Sequence, residues 1–75
     1  MARAHNDLGC LYARGGNHAE AEACFNRAIA LDPGFAVAWR NMGDSLAALG
    51  RKGEAEAHYR RSRELDPAAT AGKPA

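Results

Sequence analysis

The sequence predicts an all-α fold: an α-solenoid of two helix-turn-helix repeats, with four antiparallel helices followed by a disordered C-terminal tail. Alanine dominates the apolar residues and β-branched residues are few, which favours helices over strands. The chain also repeats itself, because thirteen of residues 2–33 are identical to the residue 34 positions later, against about three expected by chance. Glycine and Asp-Pro signals then divide each repeat into two helices.

In the first repeat, one helix is predicted over about residues 2–14 and a second over about residues 18–31. A glycine pair beginning at Gly15 ends the first helix, since glycine readily takes the conformation that closes a helix. Asp32 ends the second helix, because the residue before a proline is pushed out of the α region. Asn17, three residues before a glutamate, has the spacing of a capping box at the start of the second helix.

The second repeat follows the same plan. Its first helix carries an apolar stripe at helical spacing, made by Trp39, Met42, Leu46 and Leu49. Gly50 ends this helix, and Asp66, which again precedes a proline, ends the next. That last helix presents an inner face of Ala55, Tyr59, Ser62 and Leu65.

These elements fit one small domain. We place it at residues 1–67, with repeat one at residues 2–35 and repeat two at residues 36–67. Residues 68–75 show no apolar periodicity and are expected to form the disordered tail. A chain of 75 residues buries only a small core, so its stability is expected to be marginal.

The chain resembles the tetratricopeptide repeat family in both halves. In repeat one the signature positions hold Leu8, Gly9, Tyr12, Gly16, Ala21, Phe25, Ala28 and Pro33. In repeat two they hold Trp39, Met42, Gly43, Leu46, Gly50, Ala55, Tyr59 and Pro67. The small signature residues are expected where paired helices cross and the aromatic ones in the remaining space. Trp39 is expected between the repeats, against the second helix of repeat one.

This resemblance implies a protein–protein interaction module, in which the first helix of each repeat lines a concave groove for an extended peptide or a partner helix. The non-core face of these helices supplies the expected groove residues. They are Arg3, Asn6, Cys10, Arg14, Val37, Arg40, Asn41 and Asp44. The same face also carries Asp7, so three arginines stand against two aspartates. The face is therefore mildly basic, and we expect an acidic protein or peptide partner.

One ligand mode of the family is not expected. A clamp on the C-terminal carboxylate of a chaperone needs lysine and asparagine on one first helix, asparagine on the next and basic residues on a third. The corresponding positions here hold Asn6, Cys10 and Asn41, of which only Asn41 fits, and there is no third repeat.

Catalytic and metal-binding functions are not predicted. The three histidines form no paired metal-ligand spacing, and Cys24 and His58 would lie on stacked helices about 8–10 Å apart. We therefore expect no enzymatic activity, cofactor or metal site. A small metal- or thiol-dependent protein remains an alternative from a different class of function. Cys10 is expected on an exposed helix face, without a lysine or histidine placed to activate it.

Net charge and hydropathy indicate which classes of partner and which cellular location to expect. The net charge is +1, and we expect neither nucleic acid nor membrane as a partner. The start of the chain has no apolar segment typical of a signal peptide, so a cytoplasmic location with reduced cysteines is expected. The arginines near the end of the last helix are expected to be solvated, with Arg60 paired to Glu56 and Glu64.

The outer ends of the stack carry polar substitutions. His5 stands where repeat two has Trp39, and Arg63 and Glu64 stand where repeat one has apolar residues. These changes predict a self-contained two-repeat unit rather than a slice of a longer array. A self-associating assembly piece remains the alternative function. We expect a homodimer through the last helices, because the end near Tyr59 lacks a covering helix. A monomer remains the alternative oligomeric state.

Overall fold

A computed structural model describes residues 1–67 and shows four helices in an antiparallel succession. Helix α1 spans Ala2–Arg14, α2 spans His18–Leu31, α3 spans Ala36–Ala48 and α4 spans Lys52–Leu65. These bounds confirm the two-repeat all-α prediction, and the described part contains no strand. The predicted disordered tail, residues 68–75, lies outside the described residues.

The two α–α turns inside the repeats are built alike. Gly16 and Gly50 have φ angles of 86° and 84°, which favour glycine over residues with a Cβ. Each glycine donates its backbone N–H to a carbonyl in the last turn, and the next residue bonds further back, as in a Schellman motif. The prediction that glycines close α1 and α3 is therefore confirmed.

Two details of the helix ends were predicted wrongly. Asn17 is the N-cap residue of α2, but its side chain makes no capping hydrogen bond, so the capping box is absent. Leu49 is the C-cap residue of α3 rather than part of its apolar stripe, and 41% of it is exposed. At this position the chain is already turning toward Gly50, which carries the side chain off the buried face.

The core joins both repeats. Ala21, Phe25, Met42, Leu46 and Ala55 form one buried cluster that draws on α2, α3 and α4. Side chains of α1, including Tyr12, pack against this cluster. The two repeats therefore share a single core.

Close helix crossings explain the glycines inside α1 and α3. A Cβ atom on Gly9 would lie 2.5 Å from Cε1 of Phe25, and one on Gly43 would lie 2.7 Å from Cε1 of Tyr59. An aromatic ring of the second helix thus rests on the bare backbone of the first in each repeat. The expectation of small residues at the crossings is confirmed.

Polar contacts stabilise the packing of the helices, both within repeat two and between the repeats. The Ser62 hydroxyl donates to the Ala36 carbonyl oxygen at 2.8 Å, inside the protein. Arg51, at the start of α4, forms salt bridges to Glu22 of α2 at 3.1 Å and to Glu54 at 2.7 Å. The sequence did not single out this inter-repeat bridge.

Trp39 and Glu64 make further contacts on α3 and α4. Trp39 donates its Nε1–H to the Pro33 carbonyl at 2.8 Å, and its ring meets the His58 ring at 5.3 Å. Its observed contacts are thus with the loop after α2 and with α4. Near the end of α4, Glu64 pairs with Arg61 at 3.3 Å instead of with Arg60.

Exposed leucines mark the N-terminal end of the stack. Leu8 and Leu11 are 43% and 61% exposed, whereas their counterparts in repeat two, Met42 and Ser45, are 3% and 1% exposed. The difference arises because α2 packs against α3, while within the described residues no helix lies on the equivalent face of α1. Open apolar surface was also expected at the other end of the stack, near Tyr59 and Leu65, and both of these residues are half-buried.

Candidate functional site

Two cavities follow one another along the face where α1 and α3 lie side by side. The first has a volume of about 540 Å³ and is lined by Ala2, Arg3, Asn6, Asp7, Asp32, Phe35 and Val37. The second has a volume of about 320 Å³ and is lined by Cys10, Ala13, Arg14, Phe25, Asn41 and Asp44. We call these two cavities together the α1–α3 groove. Seven of the eight expected groove residues line it, and Arg40 lines neither cavity.

An amide contact joins the two cavities. Asn41 donates its Nδ2–H to Oδ1 of Asn6 at 3.0 Å and lies 3.5 Å from the sulfur of Cys10. Asn6 is only 6% exposed, so this hydrogen bond fixes α1 against α3 in a partly dry setting. Within residues 1–67 the Asn6 Nδ2 group forms no hydrogen bond of its own, and it remains a donor at the wall of the first cavity.

Cys10 is not the exposed thiol that the sequence predicted. It is partly buried and packs against the shared core, because α3 closes over that side of α1. Burial raises the pKa of the Cys10 thiol, the negative charge of Asp7 adds to the rise, and Arg14 and Arg40 oppose it. A raised pKa keeps the sulfur protonated, which is the opposite of an activated nucleophile.

The three arginines of this face stay available. Arg3, Arg14 and Arg40 are exposed, and none of them forms a salt bridge within the described part of the chain. Arg40 stands outside the cavities, yet its charge reaches both the Cys10 sulfur and the Tyr59 hydroxyl. An unpaired guanidinium offers a planar donor edge that suits a carboxylate.

Asp44 is already engaged by the protein. The Tyr59 hydroxyl donates to Oδ1 of Asp44 at 2.6 Å, which links α4 to the wall of the second cavity. Burial, reinforced by this bond to a carboxylate, raises the pKa of Tyr59 to about 12. The second cavity therefore has a free arginine, Arg14, beside a carboxylate that is already hydrogen bonded.

Part of the groove wall comes from residues that the helical pattern of the sequence did not indicate. Asp32 and Phe35, from the connection between α2 and α3, line the first cavity. Asp32 was assigned only to ending α2, and its Oδ1 also accepts the Gly34 N–H at 3.2 Å. That Asx-type bond holds the connection beside the groove. The Asp-Pro-Gly turn was visible in the sequence, but helical spacing gives no position for a loop side chain.

The helical-repeat fold agrees with a comparison against protein families. The family model described as tetratricopeptide repeat matches residues 6–70. The chain is a member of the tetratricopeptide repeat family. Tetratricopeptide repeats are generally protein-interaction modules and are typically non-catalytic. A comparison with curated proteins finds no match.

Two features are absent from residues 1–67 of this tetratricopeptide protein. None of the helices there is both long and apolar enough to cross a membrane. Within residues 1–67, no three side chains of histidine, cysteine, aspartate or glutamate gather closely enough to hold a metal ion.

Proposed function

We propose that this tetratricopeptide unit binds a segment of a protein partner, an extended peptide or a helix, in the α1–α3 groove. The observation that carries the proposal is the alignment of the two cavities along one face, with the expected groove residues in their walls. Helix α1 has 13 residues and is about 20 Å long, so about six residues of an extended segment would span it.

The charges along the groove suggest a direction for that segment. The first cavity has Asp7 and Asp32 against a single arginine, Arg3, so it favours a basic or polar side chain. The second cavity has Arg14 in its wall and Arg40 nearby, while its Asp44 is held by a tyrosine. An acidic side chain of the partner therefore fits at the second cavity, where a guanidinium can hold it with two hydrogen bonds.

Apolar and amide groups supply the remaining contacts. Phe35 and Val37 give the first cavity an apolar wall, and Phe25 forms part of the wall of the second. The free Nδ2 donor of Asn6 lies in the first cavity, within reach of a backbone carbonyl of a bound segment. This combination of apolar walls and a few placed donors is typical of peptide-binding grooves.

The test uses three fluorescent peptides of equal length with acidic, neutral or basic side chains at the end meant for the second cavity. Fluorescence anisotropy measures their affinity for the wild-type protein and for two variants, Arg40→Glu and Arg60→Glu. Both variants change the net charge equally, but Arg60 lies on α4, away from the groove. We expect Arg40→Glu to weaken the acidic peptide about tenfold, a change of about 1.4 kcal/mol.

The Arg60→Glu control distinguishes binding in the groove from an effect of net charge. Arg60→Glu should leave the affinity for the acidic peptide within about twofold of the wild-type value, since screened charges away from the site contribute little. Equal losses in both variants would mean that the acidic peptide responds to net charge and not to the groove. A wild-type protein that binds none of the three peptides would also contradict the proposal.

A further inference from the structure

The outer face of α1 carries two exposed leucine side chains, Leu8 at 43% and Leu11 at 61% exposure. Leu8 and Leu11 are three residues apart, so they lie on one side of the helix, and Ala4 extends the same stripe. Beside Leu8, a cavity of about 250 Å³ opens between α1 and α2. It is lined by His5, Leu8, Ala23, Cys24 and Arg27. Leu8, Leu11 and this cavity lie outside the α1–α3 groove, on a neighbouring side of α1.

The equivalent face of repeat two indicates which kind of contact this face can make. The equivalent positions of repeat two, Met42 and Ser45, are buried in the interface between α3 and α2. In repeat one these positions hold Leu8 and Leu11, which are left without a helix against them in the described residues. The face therefore has the position of a helix-packing surface and carries apolar side chains suited to one.

We propose that this face pairs with the same face of a second copy of the chain, with the two α1 helices antiparallel about a two-fold axis. A two-fold arrangement covers both leucine stripes at once and leaves no open apolar surface for further copies. With the axis between positions 8 and 11, Leu11 of the second copy lies opposite Leu8. The small cavity lined by His5 and Leu8 borders this contact on the α2 side.

Charge complementarity supports this register. Asp7 and Arg14, which also line the α1–α3 groove, flank the leucine stripe on the groove side of α1 and are exposed. In an antiparallel pair about this axis, Arg14 of one copy and Asp7 of the other fall about two residues, or about 3 Å, apart along the helix axis. This contact occurs twice by symmetry, and each occurrence brings opposite charges together.

Head-to-tail stacking of copies is the arrangement that the charges disfavour. The opposite end of the molecule offers a surface on α4 lined by Glu56, Tyr59, Arg60 and Arg63. Docking the leucines of α1 there would desolvate three charged side chains against apolar surface, which costs free energy. The two-fold pairing avoids this cost, so we assign the second copy to the outer face of α1.

The predicted dimer is weak. Two leucines and short flanking surfaces per copy fall below the roughly 1,000 Å² of total buried area typical of a stable interface. We therefore expect association in the range of about 0.1–1 mM. Sedimentation equilibrium from about 10 μM to 2 mM would follow it as a rise in average mass from the 8.0 kDa of one chain toward twice that value.

Three sets of variants test the interface. Leu11→Glu should abolish the rise in mass, whereas Leu31→Glu should leave it unchanged, because Leu31 is a similarly exposed leucine elsewhere, at the end of α2. Circular dichroism checks that each variant stays helical. Asp7→Arg and Arg14→Asp should each weaken association about tenfold, and the two changes together should restore it. This charge exchange keeps the proposal testable even if Leu11→Glu fails to fold.

The proposal is overturned by a constant mass of one chain over the whole range of concentration. It is also overturned if Leu31→Glu reduces association as much as Leu11→Glu, or if the combined charge exchange fails to restore it. Head-to-tail stacking would instead give masses that rise beyond two chains, and Arg63→Glu would then change the association.

Discussion

Two buried serines illustrate how the same side chain acts differently according to its partner. Ser62 is fully buried, and its hydroxyl donates to the carbonyl oxygen of Ala36 at 2.8 Å. Ser45 is also buried, but its Oγ has no hydrogen-bond partner in the described residues. A buried polar group costs free energy unless it is hydrogen bonded, so the two serines should contribute to stability with opposite signs.

Replacing each serine with alanine tests this difference. Ser62→Ala should lower the free energy of unfolding by about 1 kcal/mol, because it removes a buried hydrogen bond between α4 and α3. Ser45→Ala should leave the free energy of unfolding unchanged or raise it by up to about 1 kcal/mol, since it removes an unsatisfied hydroxyl and adds a better helix former. Urea unfolding measures both values. A larger loss for Ser45→Ala than for Ser62→Ala would contradict this assignment.

The bond between Tyr59 and Asp44 predicts a dependence of stability on pH. In the folded protein, burial and the bond to Asp44 raise the pKa of Tyr59 from 10.0 to about 12. The folded state therefore binds this proton more tightly than the unfolded chain, and the resulting stabilisation is complete below about pH 10. As the pH rises from 10 toward 12, the free energy of unfolding should fall.

Titration of the Tyr59 ring by NMR checks the same bond directly. Asp44→Asn should lower the pKa of Tyr59, because it removes the negative charge that opposes ionisation of the phenol. Asp7→Asn provides the matched control, as Asp7 lies on α1 and does not contribute to the shift. An unchanged pKa in Asp44→Asn would show that burial alone is responsible.

At the scale of the helices, each repeat depends on a ring lying against a bare helix backbone. Phe25 rests on Gly9 and Tyr59 rests on Gly43, at positions 34 residues apart. A Cβ at either glycine would fall inside the contact distance of the ring, so the ring or the helix would have to move. Interiors packed at high density accommodate such moves only with strain.

Alanine substitutions at these glycines measure the strain. Gly9→Ala and Gly43→Ala should each lower the free energy of unfolding by about 1–3 kcal/mol, because overpacking outweighs the better helix propensity of alanine. Gly53→Ala is the control, since this glycine lies in α4 with nothing within 4 Å of the added Cβ. It should be neutral or stabilise the protein by up to about 1 kcal/mol. If all three variants are equally stable, the crossings are looser than the structure shows.

The helix ends were predictable where a single residue type dictates the backbone. Gly16 and Gly50 take positive φ, and Asp32 and Asp66 precede prolines, so these ends follow from local geometry. Asn17 has the spacing of a capping residue, yet its side chain makes no capping hydrogen bond. Spacing alone does not predict a cap, because a cap also needs a particular direction of the side chain.

Contacts between elements were less accessible from the sequence than the elements themselves. The salt bridge from Arg51 to Glu22 joins residues 29 positions apart, and no local pattern indicates that they meet. The exposure of Leu11 depends on which helix lies against α1, which the sequence leaves open. Helical periodicity placed seven of the eight expected residues on the face of α1 and α3 that lines the two cavities, but it gave no position for Asp32 in the loop.

For the whole molecule, the shared core predicts that both repeats unfold together. Leu46 is fully buried in a cluster that includes Ala21 and Phe25 of the other repeat. Leu46→Ala should lower the free energy of unfolding by about 2–5 kcal/mol through lost burial and a cavity. Amide hydrogen exchange should then show reduced protection in α1 as well as in α4. Protection lost in α3 and α4 alone would show that repeat one is stable by itself.

The central claim is that the α1–α3 groove receives the partner segment. Its most direct test is an NMR titration that maps changes in amide chemical shift when the acidic peptide is added to the wild-type protein. We expect the largest chemical-shift changes on α1, on α3 and at Asp32. These changes should shrink in Arg40→Glu and persist in Arg60→Glu. Changes centred on the outer surfaces of α2 and α4, with the groove unaffected, would contradict it.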